Sequence, residues 1–413
     1  MKVTVIGAGI VGLATAWWLA RDGHAVTVLD EAAEPASGAS FANGAQLSYS
    51  YVAPLAEPGI LKDLPKYLLD RNGPLRFVPR ADPAQWSWLL RFLAACNASA
   101  AARGTASLLR LAFASRDALY AMLAATPMEF DHARNGKLVV QSSAAAMRGA
   151  EAQLRLQATL GCEQQALTAA ECLALEPGLA SIRQRLVGGI LTPSEEVGDC
   201  HKLCLELARV LATPAFGARL LTATRVERLV VEAGRLRAVR TSRGDHEADL
   251  TVLAAGVGTA ALGRSAGVTV PVLALRGYSI TAPVRAGNCG PRRSITDSAR
   301  KTVYAPLGAA LRVAGFAEIG TTGPTPGRAE ALARETDAVF PGACDTAAAT
   351  TWTGLRPATP TSLPLIGPTR IEGLALNAGQ GALGFTLAAG SARLLADLLA
   401  GRDPAVDPAP FRP

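Results

Sequence analysis

One permanently charged side chain stands in a stretch that otherwise carries no charge. Arg356 lies in WTGLRPATPTSLPLIG, and no carboxylate occurs within ten residues of it on either side. A buried guanidinium without a partner is costly, so the partner of Arg356 is either a distant acid or a ligand. The planar, two-pronged guanidinium suits a carboxylate group, and a lysine would replace it poorly.

Three glycines near the amino terminus have the spacing G-x-G-x-x-G. Gly7 would permit a tight turn, Gly9 would let a pyrophosphate approach the backbone, and Gly12 would let a helix pack closely on a strand. Asp30 follows Gly12 by 18 residues, and roughly 20 residues is typical of a carboxylate that binds ribose hydroxyls. The spacing predicts a dinucleotide site, with a tight turn that binds nothing as the alternative.

The hydrophobic pattern places these glycines in a strand–helix–strand unit. Residues 2–6 are predicted to form a buried strand, 13–23 an apolar helix and 25–29 a second strand that ends at Asp30. The amino terminus of such a helix offers unpaired N–H groups and a positive dipole end to phosphates.

Three later segments are also suited to a large cofactor. The run SGASFANGAQLS, residues 37–48, is too polar for a core and is predicted to wrap a second side of the cofactor, a solvated loop being the alternative. TVLAAG, residues 251–256, reads as a strand that follows two hairpin turns, VEAG and SRGD. The loop LNAGQGALG precedes a predicted helix over 385–399, whose amino terminus suits a flavin edge that gains negative charge on reduction.

Composition excludes several other functions. The net charge is +7, but the basic residues are dispersed, so we predict no nucleic-acid partner. Seven cysteines suit reduced thiols better than a disulfide framework. Cys200, His201 and Cys204 are predicted to share a helix with no metal role, because no second ligand pair has a suitable spacing. We find no signal peptide and no apolar stretch long enough to span a bilayer, which predicts a cytoplasmic protein.

Taken together, these blocks resemble bacterial FAD-dependent D-amino acid dehydrogenases, within the glycine oxidase and D-amino acid oxidase superfamily. The resemblance runs through nearly the whole chain. It rests on VIGAGIVGLATAWWLARDGHAVTVLD, ASFANGAQLS, GGILTPSEEVGDC, ALRGYSIT, RVAGFAEI, WTGLRPATPTSLPLIG and LNAGQGALGFTLAAGSARLLADLL.

The resemblance implies an α/β fold: a Rossmann-like FAD-binding domain with a mixed-sheet α+β substrate domain. It places residues 1–49, 197–262 and 352–413 in the FAD-binding domain, and 50–196 and 263–351 in the substrate domain. The active site would lie where the two domains meet, a usual place for a pocket.

The resemblance also implies roles for individual residues. Arg356 would bind the substrate carboxylate, with a structural ion pair that positions the loop as the alternative. From the residues themselves, Tyr278 is expected to donate to the same carboxylate, with a strand tyrosine whose ring lies in the core as the alternative. Tyr304 is expected to line the pocket, and Tyr49 and Tyr51 are expected to reach the front face of the flavin. The late glycine loop carries no arginine, so a second guanidinium is not expected there, and Gln380 is a weak substitute. The residues expected to bind the cofactor are Gly7, Gly9, Ile10, Val11, Gly12, Asp30, Glu31, Ser40, Asn43, Gly44, Ala45, Gln46, Leu47, Val226, Ala255, Gly256, Gly381, Gly384, Phe385 and Thr386.

The implied chemistry is oxidative deamination of a D-amino acid. A hydride leaves the α-carbon for flavin N5, and water hydrolyses the imino acid to a 2-oxo acid and ammonia. The sequence shows no convincing general base. A cyclic substrate such as D-proline or hydroxyproline, an N-methyl glycine, an oxygen-using oxidase and a flavoprotein with a structural or sensing FAD are the alternatives. FAD is expected to be noncovalent, because no His or Cys lies in the flavin-wrapping segment and Cys289 and Cys344 lie outside the glycine blocks.

The electron acceptor is expected to be a quinone or the respiratory chain. Residues 60–97 mix Lys62, Lys66, Arg71 and further arginines with Leu, Phe and Trp. Such a segment suits peripheral contact with the inner face of the cytoplasmic membrane. A helical excursion packed on its own domain is the alternative.

Overall fold

The computed structural model describes residues 1–60, 70, 73–287 and 290–413. Numbered along this part of the chain, the helices are α1 (Ile10–Arg21), α2 (Pro83–Ala95), α3 (Ala98–Ala125), α4 (Ala144–Ala158), α5 (Ala169–Leu175), α6 (Cys200–Leu211), α7 (Thr259–Ser265), α8 (Arg328–Val339) and α9 (Gly384–Leu399). The strands are β1 (Lys2–Ile6), β2 (Ala25–Leu29), β3 (Gln46–Leu47), β4 (Leu75–Phe77), β5 (Lys137–Gln141), β6 (Gln165–Thr168), β7 (Gly188–Thr192), β8 (Glu196–Val197), β9 (Arg219–Leu221), β10 (Val226–Glu232), β11 (Arg235–Thr241), β12 (Gly244–His246), β13 (Leu250–Leu253), β14 (Leu273–Pro283), β15 (Ser294–Asp297), β16 (Thr302–Leu307), β17 (Ala310–Ile319), β18 (Thr350–Ala358), β19 (Leu365–Pro368) and β20 (Leu374–Ala378).

A six-stranded sheet contains the amino-terminal unit. Its strand order is β19-β20-β13-β1-β2-β9, and every neighbouring pair is parallel except β19 with β20. Strands in such a sheet are covered on both faces and read as continuous apolar runs, as β1 and β2 do. The predicted bounds of both strands are confirmed. Helix α1 begins earlier than predicted, at Ile10, because Gly9 forms its N-cap.

A nine-stranded sheet forms the second layer of the fold. Its order is β18-β14-β17-β16-β15-β5-β7-β6, and β4 pairs with the end of β17. Only β15 with β5 and β4 with β17 are parallel, so the predicted mixed, largely antiparallel sheet is confirmed. One face packs against α8 in a core that includes Tyr278, Tyr304, Leu332 and Phe340. We call this the helix-covered face.

The opposite face of the nine-stranded sheet meets the segment that follows β2. Ser279 on β14 donates its hydroxyl hydrogen bond to the carbonyl of Ala42 at 2.6 Å. We call this the cofactor-segment face. Side chains alternate along a strand, and residues directly opposite on antiparallel neighbours share a face. The register of the strands therefore assigns each predicted site residue to one face or the other.

A third, three-stranded sheet consists of β10, β11 and β12. The two hairpin turns read from the sequence are confirmed. Ala233 and Gly234 both have positive φ, at 49° and 77°, which is the geometry of the tight turns that match the twist of paired strands.

The predicted domain boundary at 352 falls inside β18. That strand pairs along its whole length with β14, so residues 352–358 belong to the nine-stranded sheet. Helix α3, from the predicted substrate domain, packs on α9, where the Gly390 N–H donates to the Ser115 hydroxyl at 2.9 Å. The division into two domains stays a prediction, and these two elements lie across it.

Two apolar helices bear on the question of membrane contact. In the described part of the chain, Gly381–Leu399 is long and apolar enough to cross a bilayer, contrary to the sequence reading, but 67% of it is buried in the fold. Helix α2 buries Trp88 and Phe92 and leaves Trp86 and Leu90 exposed, at 45% and 68%. Of the basic residues read from this region, Lys62, Lys66 and Arg71 lie outside the described residues, as does Cys289.

Candidate active site

The loop between β1 and α1 is built for close backbone approach. Gly7 has φ of +112°, and a Cβ there would lie 2.5 Å from the carbonyl oxygen of Ala254. A Cβ on Gly12 would lie 1.8 Å from the Gly7 carbonyl oxygen. The N-cap residue of α1 is Gly9, so it supplies no side-chain hydrogen bond to the helix, and the first turn of α1 contains no acidic residue. The positive end of α1 therefore faces a tight glycine loop, an arrangement that fits a pyrophosphate.

The carboxylate of Asp30 closes the same loop. Its two oxygens accept hydrogen bonds from the Ala8 N–H at 2.6 Å and the Ala32 N–H at 2.8 Å. Glu31 beside it is exposed. The Thr224 N–H donates to the Asp30 carbonyl at 2.8 Å, which brings the start of β10, Val226, next to this edge. The acid thus lies beside the glycine loop, where the ribose of a bound dinucleotide is expected.

The flavin-wrapping segment is fixed at both of its ends. Ser40 accepts a hydrogen bond from the Ile10 N–H at 3.0 Å, which ties the segment to the first turn of α1, just before Val11. Asn43 accepts from the Ala45 N–H at 2.9 Å through its side chain, and Ala45 has φ of +56°. A Cβ on Gly44 would lie 3.3 Å from Val303 on the cofactor-segment face. The small residues of this segment therefore allow its backbone to lie against the nine-stranded sheet.

Contacts made by Arg312 and by Thr386 extend this attachment. Arg312 donates to the Asn43 carbonyl at 3.2 Å and pairs with Asp199 at 3.2 Å. The Thr386 hydroxyl accepts from the Ser48 N–H at 3.0 Å. The segment is thereby joined to the sheet on one side and to the first turn of α9 on the other. Between these contacts, Gln46 and Leu47 form β3, which pairs with β8.

The two other glycine-rich pieces surround the same region. Ala255 and Gly256 follow β13 directly behind Gly7. Helix α9 starts at Gly384 after the turn at Gly381, and it has neither a side-chain cap nor an acid in its first turn, where Phe385 and Thr386 lie. Gln380 does not replace an arginine here, because it is buried and its amide donates to Asn377 at 2.7 Å.

Arg356 lies on the cofactor-segment face without an acidic partner. It lies opposite Leu275 of β14. Gly354, two residues before it on β18, lies opposite Gly277. Its guanidinium donates to the carbonyl of Phe316 at 3.2 Å, and within the described ranges no carboxylate forms an ion pair with it. Burial lowers the pKa of Arg356, although the side chain remains partly accessible. A cation that is desolvated, partly accessible and without an acidic partner among the described residues can accept an anion.

Two residues that sequence reasoning did not assign hold this guanidinium. A Cβ on Gly277 would lie 2.4 Å from one guanidinium nitrogen and 2.6 Å from its carbon, so any larger residue there would force the Arg356 side chain to shift. Phe316 has φ of +59° at a register shift of β17, and this strained backbone turns its carbonyl toward Arg356. A glycine inside the strand sequence ALRGYSIT was the available signal, because such glycines mark close approach.

Tyr278 and Tyr304 lie on the other face, so the structure does not bring them to the face that carries Arg356, and their predicted roles at the carboxylate and in the pocket stay predictions. Tyr278 stands opposite Thr353, one residue out of phase with Arg356. Its hydroxyl donates to Glu318 at 2.7 Å and accepts from the Thr325 N–H at 2.7 Å. Tyr304 is fully buried, and its hydroxyl has no hydrogen-bond partner among the described residues. The period of two along a strand turns both rings into the helix-covered core.

The two tyrosines after the flavin-wrapping segment differ. Tyr49 is fully buried and its hydroxyl donates to Glu196 at 3.3 Å, so it does not face a cofactor as expected. Tyr51 is 41% exposed, and its ring covers the Lys137 ammonium at 4.0 Å. Burial raises the pKa of the Tyr51 hydroxyl, and the predicted role of this ring at the flavin stays a prediction.

The donor set fits FAD and gives no support to a metal ion. Two helix amino termini whose N-cap residues make no side-chain hydrogen bond, a glycine loop whose Cβ positions are blocked, and an acid at the end of β2 fit a dinucleotide. In the part of the chain that the structure describes, no three His, Cys, Asp or Glu side chains are grouped to hold a metal. The six described cysteines are free and buried, and Cys200 and Cys204 lie in α6 as predicted.

Comparison with known proteins places these features in context. The family model described as FAD dependent oxidoreductase, DAO, matches residues 2–398. The chain is 49% identical to a D-amino acid dehydrogenase 2 from Ralstonia nicotianae over 100% of this chain and 99% of the relative. It is 45% identical to a D-amino acid dehydrogenase 2 from Pseudomonas aeruginosa over 98% and 96%.

Solved structures agree with the fold. Glycine oxidase from Geobacillus kaustophilus has a TM-score of 0.78 at 21% identity, covering 100% of this chain and 98% of that one. L-alpha-glycerophosphate oxidase from Mycoplasma pneumoniae, with FAD bound, has a TM-score of 0.72 at 16% identity, covering 97% and 94%. At these identities the similarity concerns the fold alone.

Proposed function

The chain belongs to the DAO family of FAD-dependent oxidoreductases, and from this we propose that it deaminates D-amino acids oxidatively to 2-oxo acids and ammonia. The D-amino acid as substrate is supported by the names of relatives that cover nearly the whole chain at 39–49% identity. The electrons pass to an acceptor other than oxygen, in keeping with a dehydrogenase.

The observation that carries the proposal is the unpaired guanidinium of Arg356. The sequence left its partner open between a distant acid and a ligand, and the described structure offers it only the Phe316 carbonyl. An α-amino acid brings one carboxylate, which two parallel N–H groups can bind. Arg312 on β17 and Arg328 on α8, the two arginines buried against this sheet, are each paired with a carboxylate. Arg356 has no such pair among the described residues, so its guanidinium can bind the substrate carboxylate.

In this proposal the protein binds and orients, and it performs little acid–base chemistry. Arg356 holds the carboxylate, which fixes the α-carbon relative to the flavin-wrapping segment, and Gly277 and Phe316 fix Arg356. FAD, when bound, accepts the hydride from the α-carbon. The amine binds in its neutral form, and water hydrolyses the released imino acid to the 2-oxo acid and ammonia.

Anaerobic mixing tests the substrate class. The holoenzyme is mixed with D-alanine, D-proline and a bulky D-amino acid, and with the L-enantiomers as matched controls, while the oxidised-flavin absorbance is recorded. Loss of that absorbance with D-amino acids alone is expected. A flavin that stays oxidised with every D-amino acid would refute the proposal. The relative rates separate D-proline, hydroxyproline and N-methyl glycine from ordinary D-amino acids, and peroxide release in air would identify an oxidase.

A quinone or the respiratory chain is proposed as the acceptor, with α2 as the contact to the inner face of the membrane. Its outer side exposes Trp86 and Leu90 next to Arg91, a combination suited to an anionic lipid surface. Sedimentation with vesicles that contain anionic lipid should recover the wild-type protein and recover less of a Trp86→Ser, Leu90→Ser variant. Equal recovery of both would remove α2 from the proposal.

A further inference from the structure

A buried lysine lies behind the flavin-wrapping segment. Lys137, on β5, is 2% exposed and points to the cofactor-segment face. Its ammonium donates to the Gln46 side-chain oxygen at 3.0 Å and to the Ser48 hydroxyl at 3.1 Å. The ring of Tyr51 covers it at 4.0 Å. One ammonium thus contacts two side chains of the flavin-wrapping segment and the tyrosine ring that follows it at position 51.

The acid that interacts electrostatically with this lysine is Glu195. Glu195 is 1% exposed and accepts the backbone N–H of Ser50 at 2.6 Å and of Tyr51 at 3.3 Å through one oxygen. Its other oxygen has no hydrogen-bond partner among the described residues, and Glu195 and Lys137 interact electrostatically without forming an ion pair there. The positive charge is therefore only partly compensated.

We propose, on the basis of the function proposed above, that Lys137 is a positioning residue of the amino acid site. In its protonated form it holds Gln46, Ser48 and Tyr51 in the arrangement that binds substrate. Loss of its proton releases that arrangement.

The reason is the number and direction of its donors. An ammonium has three N–H groups, of which two reach Gln46 and Ser48 while the third side faces the electron-rich ring of Tyr51. A neutral amine has one donor fewer and no charge to attract the ring. Deprotonation therefore weakens the contact with Tyr51, whose side chain is 41% exposed.

Lys137 and Glu195 form a coupled buried pair: burial lowers the pKa of Lys137, to about 8, and raises the pKa of Glu195, and the charge of each opposes the shift of the other. The groups facing Lys137 are Glu195 and Tyr51, with Cys162 beyond Glu195 and Glu57 beyond Tyr51. Burial raises the pKa of both the Tyr51 hydroxyl and the Cys162 thiol above their ordinary values. Substrate binding should consequently weaken as the pH rises through about 8, whereas deprotonation of the substrate amine would increase the rate.

The test compares the holoenzyme with Lys137→Met, Lys137→Arg and Glu195→Gln, and with Lys2→Met as a control at an exposed lysine. Two quantities are measured from about pH 6 to about pH 10: kcat/KM with a D-amino acid, and the dissociation constant of benzoate, a non-reacting carboxylate, from the flavin absorbance. Retained FAD and the unfolding temperature are recorded for each protein.

Four results are expected. Wild type and Lys2→Met lose kcat/KM and benzoate affinity above about pH 8, by roughly tenfold per unit of pH. Lys137→Arg keeps both quantities to a higher pH, because a guanidinium does not lose its proton in this range. Glu195→Gln moves the loss to lower pH, because it removes the carboxylate that opposes the lowered pKa of Lys137. Lys137→Met should reduce kcat/KM by about ten- to a hundredfold without a further loss at alkaline pH.

An alkaline loss that is the same in wild type, Lys137→Arg and Glu195→Gln would overturn the proposal. If Lys137→Met fails to retain FAD, the other two variants decide the question. Failure of the proposed function is distinguishable, because the benzoate titration depends on the site and not on turnover with D-amino acids.

Discussion

The two faces of the nine-stranded sheet differ in whether the protein supplies their charged groups with ion-pair partners. On the helix-covered face, Glu318 is fully satisfied: it pairs with Arg328 at 2.9 Å and accepts from Tyr278 at 2.7 Å. On the cofactor-segment face, Arg356 has only a carbonyl partner and Lys137 has no ion pair among the described residues. Both faces are deeply buried, so burial alone does not distinguish a structural charge from a functional one.

The difference lies in how many partners the protein itself supplies. A charge closed by its own fold stabilises the chain, and removing one partner leaves the other buried and unpaired. A charge left open beside a concave space is paired only when a ligand arrives. Substitutions on the open face should therefore change binding, and substitutions on the closed face should change stability.

The largest effect is expected for Arg356→Ala. Loss of the guanidinium should reduce kcat/KM by about a thousandfold, roughly 4 kcal/mol, because the substrate carboxylate then has no charged partner. Arg356→Lys should recover only part of it, since an ammonium cannot donate in parallel. Steady-state kinetics measure both, and Arg235→Ala, at an exposed arginine paired with Glu372, is the control. A change in kcat/KM below threefold for Arg356→Ala would contradict the proposed difference between the two faces.

A smaller loss is expected for Gly277→Ala. The added Cβ would overlap the guanidinium, at 2.4 Å from its nearest nitrogen, and would displace Arg356 without removing it. The expected cost in kcat/KM is about ten- to a hundredfold, mainly through KM. Gly149→Ala is the matched control, because its Cβ would meet nothing within 4 Å. Unchanged KM in Gly277→Ala would show that Arg356 has more freedom than the structure gives it.

Tyr278→Phe should affect stability and leave binding intact. The variant removes a hydrogen bond to the buried Glu318 carboxylate, at a cost of about 2 kcal/mol in the free energy of unfolding. Burial alone would raise the pKa of Glu318, but hydrogen bonds from Tyr278, Thr325 and Arg328 lower it overall. A carboxylate with a lowered pKa stabilises the fold above its unfolded-state pKa, and this stability is lost as the pH falls through the folded-state pKa. In the variant that loss should begin at a higher pH, as followed by denaturant unfolding, with KM within twofold of wild type.

The smallest effect is expected for Tyr304→Phe. Its hydroxyl is buried without a partner among the described residues, so its removal should raise the free energy of unfolding by about 1 kcal/mol. Chemical denaturation measures this, and KM should not change. A large loss of activity would return Tyr304 to the site and contradict the assignment of faces.

The sequence by itself determined the local units and the kinds of group that do chemistry. The strand–glycine–helix–strand unit, the hairpin turns and the start of α9 depend on glycine positions and short apolar periods, which act over a few residues. The isolation of Arg356 from nearby acids could be read directly along the chain. These features require no knowledge of what packs against them.

Only the tertiary structure decided which side chains face the ligand. Tyr278 and Tyr304 were assigned to the site because they lie in the right strands, but a shift of one residue along a strand turns a side chain to the opposite face. That phase is set by pairing with strands far away in sequence, as β14 pairs with β17 and β18. The same distant pairing brings Gly277 and Phe316 to Arg356 and brings Lys137 beneath Tyr51, contacts that no local pattern encodes.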